Sequence, residues 1–191
     1  MMKLILIDGH SILNRAFYGV PDLTNSEGLH TNAVYGFLNI MFKFLEEENP
    51  TNIAIAFDRK EPTFRHKMFK EYKGTRKKMP DELTMQVPVI KELLQKMGIQ
   101  TVELPGYEAD DILGTLAKKA ENEGYEVRII TGDRDFFHSR LHQMQIGSQK
   151  LPVKSVFIGL CERFFCFFRC LLDRSSSLFP YEAVFMRQMS A

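Results

Sequence analysis

The sequence of 191 residues is poor in cysteine and has no long uninterrupted apolar run, and both shortages restrict what the protein can be. Its three cysteines, Cys161, Cys166 and Cys170, are odd in number and confined to the C-terminal region, which argues against a disulfide framework. The most apolar stretch, residues 156–172, is interrupted by one acidic and two basic side chains. We therefore expect no membrane span.

A secretory signal is also lacking, because only four apolar residues precede Asp8 after the initial Met1-Met2-Lys3. We expect a cytoplasmic protein.

The net charge is close to zero, at +1, but the charges are unevenly distributed, since residues 59–78 hold nine Lys or Arg against two Glu. Such a segment predicts contact with a polyanion.

Three carboxylates lie within four residues in Glu108-Ala109-Asp110-Asp111. Pro105 and Gly106 precede them and helical apolar spacing follows, so the acids are predicted to occupy the first turn of a helix. On a helix Glu108 and Asp111 share a face, and such a group can surround one side of a hard cation. The alternative is an ordinary helix start, whose dipole favours acidic residues.

Short apolar runs alternate with helical spacing between residues 4 and 135, which predicts an α/β fold with a parallel, doubly wound sheet. The predicted strands are residues 4–7, 53–57, 101–104 and 127–131. Helices are predicted within 31–48, from about 80 to 97 and from 108 to about 123, and residues 11–17 are predicted to form a turn and a short helix.

Several acids follow the ends of these predicted strands, where ligands bind in such folds. They are Asp8, Asp58, Glu108, Asp110, Asp111, Asp133 and Asp135. Their mutual repulsion at one edge would be costly without cations, and ligand sets made only of oxygen select Mg²⁺ or Mn²⁺ rather than zinc. His10 is predicted to be a structural hydrogen-bonding residue rather than a ligand.

The basic segment interleaves its cations with aromatic residues, Phe64, Phe69 and Tyr72, a mixture suited to holding phosphates and stacking a base. A solvated helix and loop is the other interpretation. Beside an acidic metal site, the segment indicates metal-assisted phosphodiester hydrolysis, in which carboxylates hold the ions and Lys or Arg steadies the phosphate. No nucleophilic triad, glycine-rich phosphate loop or small-molecule cofactor motif competes.

Six short motifs follow one another along this part of the chain: Ile7-Asp8-Gly9-His10, Phe57-Asp58, Phe64-Arg65-His66, Tyr72-Lys73-Gly74-Thr75-Arg76, Gly106-Tyr107-Glu108-Ala109-Asp110-Asp111 and Gly132-Asp133-Arg134-Asp135. In combination they resemble the motifs of the 5′-nuclease domain at the N-terminus of bacterial DNA polymerase I, a relative of the flap endonucleases with a PIN-like sheet. The resemblance covers residues 1–135.

The resemblance implies a role for each matching residue. The metal-binding and catalytic acids would be Asp8, Asp58, Glu108, Asp110, Asp111, Asp133 and Asp135, with Arg65 and Lys73 also catalytic. The 5′ strand would be engaged, in a helical arch and at its base, by Arg15, Arg65, Tyr72, Lys73 and Arg76. The implied activity is Mg²⁺-dependent 5′-3′ exonuclease and flap endonuclease cleavage of DNA carrying a 5′ flap or primer end.

The composition changes after Asp135. Residues 136–191 contain all three cysteines, nine of the sixteen phenylalanines and only three acids. The further aspartates and helix-hairpin-helix that the resemblance implies are not found there. We therefore predict an incomplete nuclease domain, residues 1–135, followed by a divergent tail, 136–191, and hypothesise that this tail is an out-of-frame or rearranged continuation. Two other functions remain open, a non-catalytic DNA-binding remnant and a stand-alone PIN-type ribonuclease.

Overall fold

A computed structural model describes residues 2–69, 71, 72, 74 and 78–132, together with the backbone of a short strand at 154–157. In chain order the elements are β1 Lys3–Asp8, α1 Gly9–Gly19, α2 Asn32–Glu48, β2 Asn52–Ala56, α3 Phe64–Met68, α4 Asp81–Lys96, β3 Gln100–Val102, α5 Ala109–Asn122, β4 Glu126–Thr131 and β5 Lys154–Phe157. The described strands form one parallel sheet in the order β3-β2-β1-β4-β5.

Both faces of this sheet are covered, which explains why its central strands are continuous apolar runs. The residues of β1, β2 and β4 that face α5 pack with its apolar stripe, including Leu6, Ile129 and Leu113. Residues of the opposite parity, such as Ile5 and Ile55, are also fully buried. Helices α1, α2 and α4 contact one another, and α1 also contacts β1 and β4. The predicted α/β architecture is confirmed.

The order of the strands determines where a cleft can form. From β1 the chain moves to β2 and β3 on one side and then returns to β4 on the other side of β1. The carboxyl ends of β1 and β4 therefore flank the point where the strand order reverses, the usual position for a ligand site in open α/β sheets. Asp8 is the last residue of β1 and Thr131 the last of β4.

The predicted element boundaries differ from the observed ones mainly after β1. We predicted a turn and a short helix at residues 11–17, but α1 begins at Gly9 directly after the strand and has 11 residues. The reason is that the side chain of Asp8 caps α1 by accepting a hydrogen bond from the Ser11 backbone N–H. In the basic segment, residues 59–78, where the resemblance implies a helical arch, the helix that the structure describes is α3, with five residues.

The C-terminal tail lies almost entirely outside the described residues, so its predicted start at residue 136 and its predicted divergence stay predictions. Strand β5, whose backbone pairs in parallel with β4, is the one described element after residue 135. Within the described residues, the helices are too short or too polar to cross a membrane.

Candidate active site

Asp8 lies in the centre of the site and is buried, because it ends β1 and at the same time caps α1. Its Oδ1 accepts the Ser11 backbone N–H at 3.0 Å, and its Oδ2 accepts the hydroxyl of Thr131 at 3.3 Å. The Ser11 hydroxyl in turn accepts the Gly132 backbone N–H at 3.0 Å. The carboxylate is thus held in one orientation between the ends of β1 and β4.

The charge of Asp8 is poorly compensated. Burial raises the pKa of its carboxyl to about 7, the Ser11 hydrogen bond opposes that rise, and the nearby carboxylates of Asp110 and Asp58 raise the pKa further. The carboxylates of Asp58, after β2, and Asp110, on α5, thus each act on Asp8 at the end of β1. A cation among the three would offset that effect.

Asp58 follows β2 by two residues and joins the starts of two helices. Its Oδ1 accepts the Ala109 backbone N–H of α5 at 2.7 Å, and its own backbone N–H donates to Nδ1 of His10 at 3.1 Å. Burial lowers the pKa of His10, which favours the neutral ring that can accept this bond. The predicted hydrogen-bonding role of His10 is thereby confirmed.

The acidic turn of α5 forms a second group, which contains a guanidinium. Arg65 donates to both carboxylate oxygens of Asp111, at 2.7 and 2.8 Å, and to Oε2 of Glu108 at 3.3 Å. The paired geometry with Asp111 raises the pKa of Arg65 further above its usual range. Tyr72 also donates its hydroxyl proton to Oε2 of Glu108, at 3.2 Å.

Arg65 reaches these acids because α3 lies against the loop that precedes α5. The backbone N–H of Phe64 donates to the carbonyl of Gly106 at 2.9 Å, which joins the start of α3 to that loop. Between α3 and the site lies an open cleft of about 330 Å³. It is lined by Asp58, Arg59, Lys60, Glu61, Pro62, Thr63, His66 and Glu108.

The structure therefore brings together seven of the predicted site residues, from four separate parts of the chain. They are Asp8, Asp58, Arg65, Tyr72, Glu108, Asp110 and Asp111. Arg15, on α1, lies near the end of β4, with its Cδ beside Gly132. Asp133, Asp135, Lys73 and Arg76 lie outside the described residues.

The acids described fit a divalent metal in their chemistry but do not by themselves form a complete cage. Every donor is a carboxylate oxygen, and the buried charge of Asp8 beside two further acids favours a hard cation. Among the residues that the structure describes, however, no three His, Cys, Asp or Glu side chains converge in a metal-binding arrangement. Arg65 meanwhile forms ion pairs with Asp111 and Glu108.

Sequence reasoning missed two residues that orient Asp8. For Ser11 a local signal existed, because an aspartate three residues upstream is the spacing of a helix cap. Thr131 carries no such signal, since its hydroxyl meets Asp8 only through the pairing of β1 with β4.

Comparison with known proteins identifies the family. Residues 3–153 match the family model described as "5′-3′ exonuclease, N-terminal resolvase-like domain". DNA polymerase I of Bacillus subtilis (strain 168) is 56% identical over 133 residues, which are 70% of this chain and 15% of that protein. A 5′-3′ exonuclease of Aquifex aeolicus is 44% identical over 135 residues, 71% of this chain and 47% of that protein. The chain thus spans less than half the length of each.

Two solved structures share the fold. The T5 5′-exonuclease with bound divalent zinc ions has a TM-score of 0.53 at 21% identity, covering 71% of this chain and 51% of that one. A bacteriophage T5 flap endonuclease in a pseudo-enzyme-product complex with DNA and metal ions has a TM-score of 0.54 at 19% identity, covering 70% and 50%. This likeness shows the same parallel α/β fold. The family match over residues 3–153 shows that the chain belongs to the 5′-3′ exonuclease family.

Proposed function

We propose that this chain carries a Mg²⁺-dependent 5′-nuclease site that hydrolyses phosphodiester bonds at the 5′ flaps or primer ends of DNA in replication and repair. The observation that carries the proposal is the burial of Asp8 at the end of β1, where the carboxylates of Asp58 and Asp110 act on it, while Asp58 also accepts a hydrogen bond from the start of α5. Family membership and the DNA and metal ions in the T5 flap endonuclease structure support the same reading.

Each group has an assigned task. Asp8, Asp58 and Asp110 would hold the metal on one side, and Asp133 and Asp135, by their place after β4, would complete it. Bound Mg²⁺, or Mn²⁺, supplies a water of lowered pKa and neutralises charge on the scissile phosphate. Arg65 provides two parallel N–H donors, a geometry that suits a phosphate as well as a carboxylate. Arg15, Tyr72, Lys73 and Arg76 would hold the 5′ strand.

The test is cleavage of a labelled 5′-flap duplex in Mg²⁺. We expect Asp110→Asn, which keeps the shape of the side chain, to lower the cleavage rate by at least ~100-fold. Asp81→Asn is the matched control, because Asp81 is an exposed acid in the first turn of α4. Equal rates for wild type and Asp110→Asn would contradict the assigned site.

A second candidate function is DNA binding without hydrolysis. It is favoured by one observation, that the described acids form no three-ligand group while Arg65 is ion-paired with two of them. It predicts flap binding that weakens steeply with salt and no cleavage in either Mg²⁺ or Mn²⁺. A preference for single-stranded RNA over flap DNA would instead indicate a PIN-type ribonuclease.

A further inference from the structure

The described part of the chain carries an unusual concentration of exposed apolar side chains near the candidate active site. Ten large apolar residues are exposed in that part, and five of them lie on or next to α3 or in the loop before α5. The five are Phe64, Met68, Phe69, Leu104 and Tyr107. Exposed apolar residues need no explanation when they are scattered, but a group beside a functional site does.

Phe64 and Tyr107 are the two members of this group whose rings contact each other. Their ring centroids are 5.8 Å apart with the planes tilted by 54°, and the two side chains are still 39% and 52% exposed. Their backbones are held as well, because the Phe64 N–H donates to the carbonyl of Gly106. The two aromatic rings therefore pack against each other while much of their surface stays in contact with solvent.

The pair is joined directly to the candidate active site. The guanidinium carbon of Arg65 lies 4.5 Å from the centre of the Phe64 ring, while its nitrogens hold Asp111. Tyr107 immediately precedes Glu108, which is only 4% exposed. A polynucleotide whose phosphate occupied the position beside Arg65 would therefore place an adjacent nucleotide within reach of the Tyr107 ring.

We propose that Phe64 and Tyr107 form an aromatic platform that stacks one unpaired base of the DNA strand bound at the acids. The inference rests on the proposed function and deepens it. Tyr107, the more exposed ring, takes the base, and Phe64 supports Tyr107 while its own face is shared with Arg65. Because every base has a π face, the platform recognises an unpaired nucleotide without preference for sequence.

The experiment measures binding of the full chain to a labelled 5′-flap duplex, with Ca²⁺ in place of Mg²⁺ so that binding is separated from cleavage. We expect Tyr107→Leu and Phe64→Leu to weaken binding by about 5-fold or more, the range of a lost base-aromatic stack. Tyr107→Phe should retain wild-type affinity. Tyr18→Leu is the matched control, since Tyr18 is 70% exposed near the far end of α1.

A second arm changes only the DNA, so it does not depend on how a variant folds. In a series of substrates with one abasic position moved through the flap and junction, one position should weaken wild-type binding about as much as Tyr107→Leu does. Tyr107→Leu should be insensitive to that position. If no abasic position weakens wild-type binding, the aromatic platform is overturned but the proposed function is not. If the wild-type chain binds no flap DNA at all, the proposed function is overturned as well.

Discussion

A methyl group added at Gly9 would test how the packing beneath the sheet edge positions the site. A Cβ built there would lie 2.4 to 2.7 Å from three ring atoms of Phe57, well inside contact distance. Phe57 has no exposed surface and is also contacted by His10 and Lys91, so the ring has little room to move. Gly9→Ala must therefore displace either the ring or the backbone beside Asp8.

The magnitude follows from two opposing effects. Forcing an extra methyl into a packed core costs about 1–3 kcal/mol. Replacing glycine by alanine in a helix recovers roughly 0.5–1 kcal/mol of backbone entropy. Taking the middle of each range, we expect Gly9→Ala to lower the free energy of unfolding by about 1 kcal/mol. Since Asp8 precedes Gly9 and Asp58 follows Phe57, flap cleavage should fall as well.

Urea denaturation measures the stability and the flap assay measures the activity. Gly19→Ala is the matched control in the same helix, because a Cβ at Gly19 would meet nothing within 4 Å. It should leave stability unchanged or raise it by up to about 1 kcal/mol. In a Phe57→Leu background Gly9→Ala should cost less, because the blocking ring is gone. An equal cost in both backgrounds, or no loss at all, would refute the reasoning.

Three further predictions concern single side chains. Gln86, on α4, accepts hydrogen bonds from two backbone N–H groups of α2, so Gln86→Leu leaves both donors without their buried acceptor and should lower the free energy of unfolding by at least ~2 kcal/mol. Gln95→Leu, at an exposed position of α4, should change it little, and equal urea midpoints for the two variants would contradict this. Arg65→Met removes the guanidinium that pairs with Asp111 and Glu108 and should lower the free energy of unfolding by about 2 kcal/mol, against less than ~0.5 kcal/mol for the exposed Arg59→Met in the same urea titration. A hydrogen bond from the lysine at the start of β1 lowers the pKa of Glu48. The stability advantage of wild type over Glu48→Gln should therefore be present above the ordinary glutamate pKa of about 4.3 and disappear as pH falls below it; an advantage that persists in acid would disprove the assignment.

The secondary structure could be predicted closely because its signals are local. The apolar run before Asp8 and the helical spacing after Asp111 each depend on neighbouring residues, and both elements are present. The start of α1 was placed wrongly, because a strand end and a helix cap coincide at Asp8. The acids were found for the same local reason, since they follow predicted strand ends.

The contacts between those acids could not be predicted from spacing. Arg65 and Asp111 are 46 positions apart, and nothing in either segment indicates that α3 would bring the guanidinium onto the acidic turn. The hydroxyl of Thr131 meets Asp8 across 123 positions. Both contacts depend on which strands pair and on where the connecting segments pass.

By itself, then, the amino-acid sequence determined the kind of sheet, the acidic character of its edge and the family to which the chain belongs, because short-range periodicity and motif order encode all three. Only the tertiary structure decided which carboxylates raise the pKa of Asp8 and which are paired with Arg65. The physical reason is that burial and charge pairing are properties of residues brought together in space, and β1, α3 and α5 meet only once the parallel sheet has formed.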